Sequence, residues 1–218
     1  MMALGELFKN KKEKTIERSA RASFLVLFIA AVVALAAAFV LSMEEIHLLK
    51  NPDAVLSCSF NLVLNCATVM QTWQASVFFG IPNMFIGLMA FPVLIAVAVM
   101  ALWGSKEPAH KVFKRWFVVA LNIGVLLGTI FAYWLFFSSV YVIQVLCPWC
   151  LVVTFTCTLM LAAVTHLTLH SNALGLSKKT DQKVQVFLKG GYHQLLVAIW
   201  IAVMVALVFM KFGAELFA

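Results

Sequence analysis

Leu146-Cys147-Pro148-Trp149-Cys150-Leu151 lies inside a run from Trp116 to Ser177 that contains no charged residue. That run is far longer than the ~20 residues one helix needs to cross a bilayer, so it must hold two spans joined by a tight connection. The short, charge-free segment 138–144 is the natural connection. The two thiols then open the second of these spans, at the boundary between lipid and water.

The composition agrees with that reading. Of 218 residues, 64% are hydrophobic and 11% are charged, and the mean hydropathy is +1.01. Soluble domains are about half apolar and a quarter charged, so the chain reads as an integral membrane protein. A second uncharged run extends from Ala54 to Ser105. The formal charge of +7 does not point to nucleic acid, because the basic residues flank the apolar runs.

Five spans are expected, at about 22–43, 77–103, 116–137, 147–169 and 194–212. The fold class is therefore all-α: a four-helix transmembrane bundle with an additional C-terminal fifth helix. Residues 1–21 form a basic arm. The first apolar run is too long for the core of a signal peptide and shows no cleavage site, so it reads as a retained helix. The first loop spans 44–76, and its uncharged second half, with Phe60, Leu62, Val63 and Leu64, suits a short amphipathic piece on the membrane surface. A polar loop over 170–193 precedes the fifth span and its short tail at 194–218. Pro82 near the start of the second span is tolerated because its missing N–H would have no helical partner.

Of the 16 Lys and Arg, only Lys50 and Lys211 fall outside when the N-terminus is cytoplasmic. The others lie in the basic arm (Lys9, Lys11, Lys12, Lys14, Arg18, Arg21), the second loop (Lys106, Lys111, Lys114, Arg115) and the polar loop (Lys178, Lys179, Lys183, Lys189). This satisfies the positive-inside rule. Lys211 can snorkel from the end of the fifth span. The expected location is the cell (inner) membrane, multi-pass. Cys58, Cys66, Cys147 and Cys150 then share the outer, oxidising side, where disulfides persist.

Cys147 and Cys150, at i and i+3, share a helix face. Their Cβ atoms would be ~5–6 Å apart in an ideal helix against ~3.5–4.5 Å in a disulfide, a gap the first turn can close by tightening. Pro148 at the first helical position fixes where that turn begins. Unpaired N–H groups at a helix start lower a thiol pKa, which favours an exchanging thiolate over an inert sulfur. Trp149 suits the headgroup level.

Cys58 and Cys66 alone would read as a structural disulfide. Two outer pairs together permit electrons to pass between them by thiol–disulfide exchange. Other readings stay open: structural clips, or four thiolates on zinc, although the x7 spacing is unusual for zinc. Cys157 lies two turns below Cys150, ~10.5 Å along the axis, and reads as a small packing residue. His166 and His170 have metal-pair spacing but lie at the far end of their helix. Gly124-x-x-x-Gly128 is a weak packing signal.

These motifs resemble the vitamin K epoxide reductase family, in its bacterial branch without a fused thioredoxin-like domain. The carrying residues are Cys58-x7-Cys66, then Gln74-Ala75-Ser76-Val77-Phe78-Phe79-Gly80-Ile81-Pro82-Asn83 with Gly87, then Cys147-Pro148-Trp149-Cys150. The likeness covers about 22–169. It implies a four-helix bundle around a quinone, either menaquinone or ubiquinone. Cys58 would meet an extracytoplasmic thioredoxin-fold protein acting in trans, Cys66 would exchange with Cys147, and Cys150 would pass electrons to the quinone. By the same resemblance, Asn83 would hydrogen-bond a quinone oxygen, with Phe79 and Trp149 beside it. No metal is implied.

The chain departs from the family pattern at Thr154, where animal enzymes have tyrosine, and at Ser59, where an acidic residue is common. The implied activity is thiol oxidation in support of disulfide formation. The rivals are a quinone or epoxide reductase, an oxidase of another family with its Cys-x-x-Cys in the first loop, and a non-catalytic membrane protein held by disulfides.

Overall fold

The computed structural model describes residues 2–52, 56–59, 63–104, 108–109, 112–175 and 177–216. Phe60, Leu62, Lys106 and Lys111, used above for loop character and orientation, lie outside the described residues.

Helix α1 runs unbroken over Met2–Lys50, beyond both ends of the expected span. Nothing between Gly5 and Pro52 stops it, because that stretch holds neither glycine nor proline. At 1.5 Å per residue it is about 73 Å long, more than twice the hydrocarbon thickness of a bilayer. Its buried face reads Ala20, Phe24, Leu27, Ala31, Ala34, Ala38, Leu41 and Leu48. Steps of four and three residues keep these on one stripe. Ala31 and Ala34 are fully buried at 0% exposure; side chains this small let neighbouring backbones approach.

Helix α3 (Asn83–Val99) packs on α1, as does α5 (Pro148–His170), while α4 (Arg115–Phe137) packs on α5. Gly87 sits where α3 meets α1. A Cβ there would lie 3.0 Å from Phe91 and 3.4 Å from Ala38, so the crossing needs glycine or a shift of Phe91. Polar side chains join α4 to α5: Asn122 Nδ2 donates to Thr168 Oγ1 at 2.9 Å, and the Tyr133 and Thr158 hydroxyls are 2.6 Å apart. Such bonds are worth about 0.6 kcal/mol each in lipid. A Cβ at Gly124 or Gly128 would meet nothing within 4 Å, so the small-xxx-small motif makes no close contact here.

A π-helical turn, Met100–Gly104, extends α3, and another, Ser138–Ile143, extends α4. The second span begins at Asn83 and not at 77, because Phe79 and Gly80 both take positive φ (53° and 76°) in a turn closed by Ile81 N–H donating to Phe78 O at 2.9 Å. Pro82 then caps the helix start. Among its described residues the first loop forms a short α2 (Cys66–Met70) and a 3-10 turn, Trp73–Ser76.

Part of the expected polar loop is helical. Helix α6 (Lys178–Lys189) has an apolar side, on which Leu188 is buried, and Gln185 donates to the last carbonyls of α5, Leu169 and His170. Val184, Leu188 and Phe187 at i, i+4 and i+3 explain why a lysine-rich segment folds so. Helix α7 (Tyr192–Leu216) lies along α5 and α6. Among the described residues, five helices are long and apolar enough to cross a membrane, and no β-strand forms beyond two isolated bridges. The molecule is an all-helical multi-pass membrane protein.

Candidate active site

Two segments far apart in sequence meet at one end of the bundle. Leu146 N–H donates to Val63 O at 2.7 Å, and Asn65 N–H donates to Leu146 O at 3.0 Å, a parallel bridge of Leu64 with Leu146. Each strand of this clasp leads directly into a cysteine. Cys66 begins α2, and Cys147 is the N-cap of α5 with Pro148 at its first position.

Asn65 holds the loop side together. Its Oδ1 accepts from Thr68 N–H at 3.2 Å, capping α2, and from Ser59 Oγ at 2.9 Å. It thereby ties the residue after Cys58 to the residue before Cys66. Glu44, near the end of α1, accepts from the Ser57 N–H at 3.3 Å and from the Ser57 hydroxyl.

Cys58 and Cys66 form a disulfide with Cα atoms 5.7 Å apart, and Cys147 and Cys150 are free thiols. The Cys147 sulfur lies 3.4 Å from the Cys66 sulfur. Reacting atoms at about 3–3.5 Å meet the distance condition for attack, so a thiolate at Cys147 lies within van der Waals contact of a disulfide sulfur. Cys58 is 2% exposed, and Cys66 and Cys147 are also buried, packed with Leu41, Leu48, Leu56 and Met70; Trp149 packs against the same cluster.

The helix start acts on Cys147 as its position suggests. Cys150 N–H lies 3.4 Å from the Cys147 sulfur. The Cys147 thiol is held below its ordinary pKa, first by the hydrogen bond from the Cys150 side chain, then by the backbone N–H groups of Cys150 and Trp149; burial opposes them.

A cavity of about 390 Å³ lies beneath the thiols. Helix α5 supplies Cys147, Cys150, Leu151, Thr154 and Cys157, steps of three and four that put all of them on one face. Helices α3 and α4, which make few contacts with each other, form the facing walls. The wall is apolar apart from a few groups, among them Gln74, Asn83, Ser139 and Thr154. Volume and lining suit a flat, mainly apolar ring with a polar edge.

Several polar groups on the wall are already committed. Asn83 Nδ2 donates to Gln74 O at 2.7 Å, and its Oδ1 accepts from Val77 N–H at 3.4 Å, so Asn83 also shapes the entry to α3. The Thr154 hydroxyl donates to Cys150 O at 2.9 Å. Gln74 is buried, and its Oε1 has no hydrogen-bond partner.

The cavity gathers Cys147, Cys150 and Asn83 from the sequence-predicted set, together with Cys157. Phe79 and Trp149 do not line it. The positive φ of Phe79 turns its ring out to full exposure (100%), and Phe78 takes the wall position, 5.4 Å from the ring of Phe131. Sequence reasoning did not find Asn65, Glu44 or the Val63–Leu146 clasp. The asparagine directly before a short helix was a readable N-cap signal; the clasp left none. His166 ring contacts reach His170 and His193, and its Nδ1 is 3.1 Å from Ser23 Oγ. Among the described residues no group of three or more His, Cys, Asp or Glu is arranged to hold a metal ion.

Comparison with curated proteins and with solved structures gave no match. The model of the vitamin K epoxide reductase family matches residues 25–165, which takes in the cysteine loop, the cavity helices and the Cys-x-x-Cys turn. The helical membrane architecture, two cysteine pairs at one end of the bundle and a family match over more than half the chain converge: this chain belongs to the vitamin K epoxide reductase family, as a membrane oxidoreductase.

Proposed function

We propose that this chain is a membrane thiol oxidase. It takes two electrons from an extracytoplasmic thioredoxin-fold protein acting in trans, relays them through Cys58/Cys66 to Cys147/Cys150, and delivers them to a membrane quinone as substrate. The carrying observation is the 3.4 Å separation of the Cys66 and Cys147 sulfurs, with Cys150 on the wall of the apolar cavity.

The steps balance as follows. A partner thiolate attacks the Cys58–Cys66 disulfide at Cys58; the partner's second thiol resolves the mixed disulfide, leaving Cys58 and Cys66 reduced. The Cys66 thiolate attacks Cys147 of an oxidised inner pair, and Cys150 leaves with the bonding electrons. Cys58 then attacks Cys66 and releases Cys147. The outcome is an outer disulfide and an inner dithiol, the redox arrangement seen here. The inner dithiol gives two electrons and two protons to the quinone and closes its own disulfide.

Positive-inside asymmetry supports cysteine pairs on the outer face, with the N-terminus cytoplasmic. Cys58 is buried, so a partner reaches it after the loop lifts from the end of α1, where Glu44 holds Ser57. The test is spectroscopic. Purified protein with a reduced thioredoxin-fold donor should bleach added menaquinone or ubiquinone, and Cys147→Ala or Cys150→Ala should abolish this. Cys58→Ala should accumulate a Cys66–Cys147 disulfide. Full quinone turnover in the single cysteine variants would refute the relay.

A further inference from the structure

We infer that α7 is a working part of the thiol relay, and that Phe212 on it is a positioning residue for the Cys66–Cys147 exchange; this rests on the relay proposed above. The family match ends at residue 165, so α7 lies outside the matched region. Most of its large side chains are exposed, among them Leu195, Leu196, Ile199, Val203 and Met210, as expected of a helix facing lipid. Two attachments stand out. Trp200 Nε1 donates to the Tyr133 hydroxyl at 2.7 Å. Near the far end, Phe212 is 3% exposed and forms one buried cluster with Val63, Phe136, Val140 and Leu146, with Met204 and Val208 packed against it.

Val63 and Leu146 are the residues whose backbones form the clasp. Leu146 is 0% exposed, and it directly precedes Cys147. Phe212 therefore packs in the same buried cluster as both clasp residues and supports them. Removing its ring opens a void into which Leu146 and Val63 can withdraw. The sulfurs, now in contact at 3.4 Å, then spend less time in contact. The step affected is attack of the Cys66 thiolate on Cys147 with departure of Cys150; neither Phe212 nor Val63 lines the cavity, and the cluster reaches its wall through Phe136 and Leu151.

The experiment uses the full chain in detergent micelles, with Phe212→Ala, the milder Phe212→Leu, and Met210→Ala as an exposed control on the same helix. Two readouts are taken: kcat and KM for quinone, and, in a Cys58→Ala background, the Cys66–Cys147 disulfide fraction in a glutathione buffer. Phe212→Ala should lower kcat and the effective concentration of Cys66 at Cys147 on the order of tenfold, small misplacements at reacting atoms being costly. KM for quinone should change much less than kcat. Phe212→Leu should recover most of the loss, and Met210→Ala should match wild type. The inference is overturned if Phe212→Ala behaves as Met210→Ala, or if Phe212→Ala or Phe212→Leu raises KM as much as it lowers kcat. If wild type reduces no quinone while Phe212→Ala still lowers the Cys66–Cys147 equilibrium tenfold, the positioning role stands and the quinone assignment fails.

Discussion

Asn65 offers a quantitative test of how the loop pair is held against the helix pair. Its side-chain oxygen accepts two hydrogen bonds, from Thr68 N–H at 3.2 Å and Ser59 Oγ at 2.9 Å. The first is an N-cap, worth about 1 kcal/mol against alanine. The second is an ordinary partly buried hydrogen bond, worth about 1 kcal/mol. Asn65→Ala should thus cost the seated loop about 2 kcal/mol, or roughly thirtyfold in its population relative to unseated forms. The backbone clasp survives the substitution, so the protein should still fold.

The assay is the equilibrium between the Cys66–Cys147 disulfide and its glutathione-capped forms in a Cys58→Ala/Cys150→Ala background, resolved on non-reducing gels. The effective concentration of the two thiols should fall by about ten- to thirtyfold in Asn65→Ala. Asn65→Asp, which keeps the accepting oxygen, should restore most of it. An unchanged equilibrium in Asn65→Ala would refute the reasoning, because register would then be held by the clasp alone.

Two further predictions concern the thiol and the helix core. Cys147 should be alkylated by iodoacetamide with a rate that rises with pH and reaches half its plateau below the ordinary thiol value of ~8.5, because its hydrogen bonds favour the thiolate. Cys150→Ala removes the largest of these and should move that midpoint upward, whereas Cys150→Ser, which retains a donor, should move it less. Ala34→Leu places three extra carbons on the fully buried stripe of α1. It should destabilise the bundle by about 1–3 kcal/mol, read as a lower midpoint of thermal unfolding in detergent; an unchanged midpoint would mean that α1 is not closely packed there.

The shape of this protein was legible in its sequence to the extent that shape is a local property. Hydropathy located the spans, because a bilayer imposes the same requirement on every crossing segment regardless of its neighbours. Cys147-Pro148-Trp149-Cys150 announced both a helix start and a reactive thiol, since proline and unpaired N–H groups act within one turn. The face that α1 buries was not legible in this way, because the run is apolar all round and only packing decides that Ala31 and Ala34 turn inward.

Elements bounded by tertiary contacts were less legible. The start of α3 at Asn83 depends on positive φ at Phe79 and Gly80, which also decides that Phe78 and not Phe79 faces the cavity. Lys178–Lys189 looked like a polar loop until α5 gave its apolar side something to cover.

Spacing and hydropathy alone establish two cysteine pairs, one in a loop and one at a helix start, beside apolar spans. Packing across the bundle alone brings Cys66 against Cys147, 81 residues away, opens a cavity on the Cys150 side, and buries Phe212 of α7 in one cluster with Val63 and Leu146. Periodicity and spacing report how a segment presents its own side chains. They carry no information about which distant segment meets them, because that choice is made by side-chain volumes and backbone hydrogen bonds summed over the whole bundle.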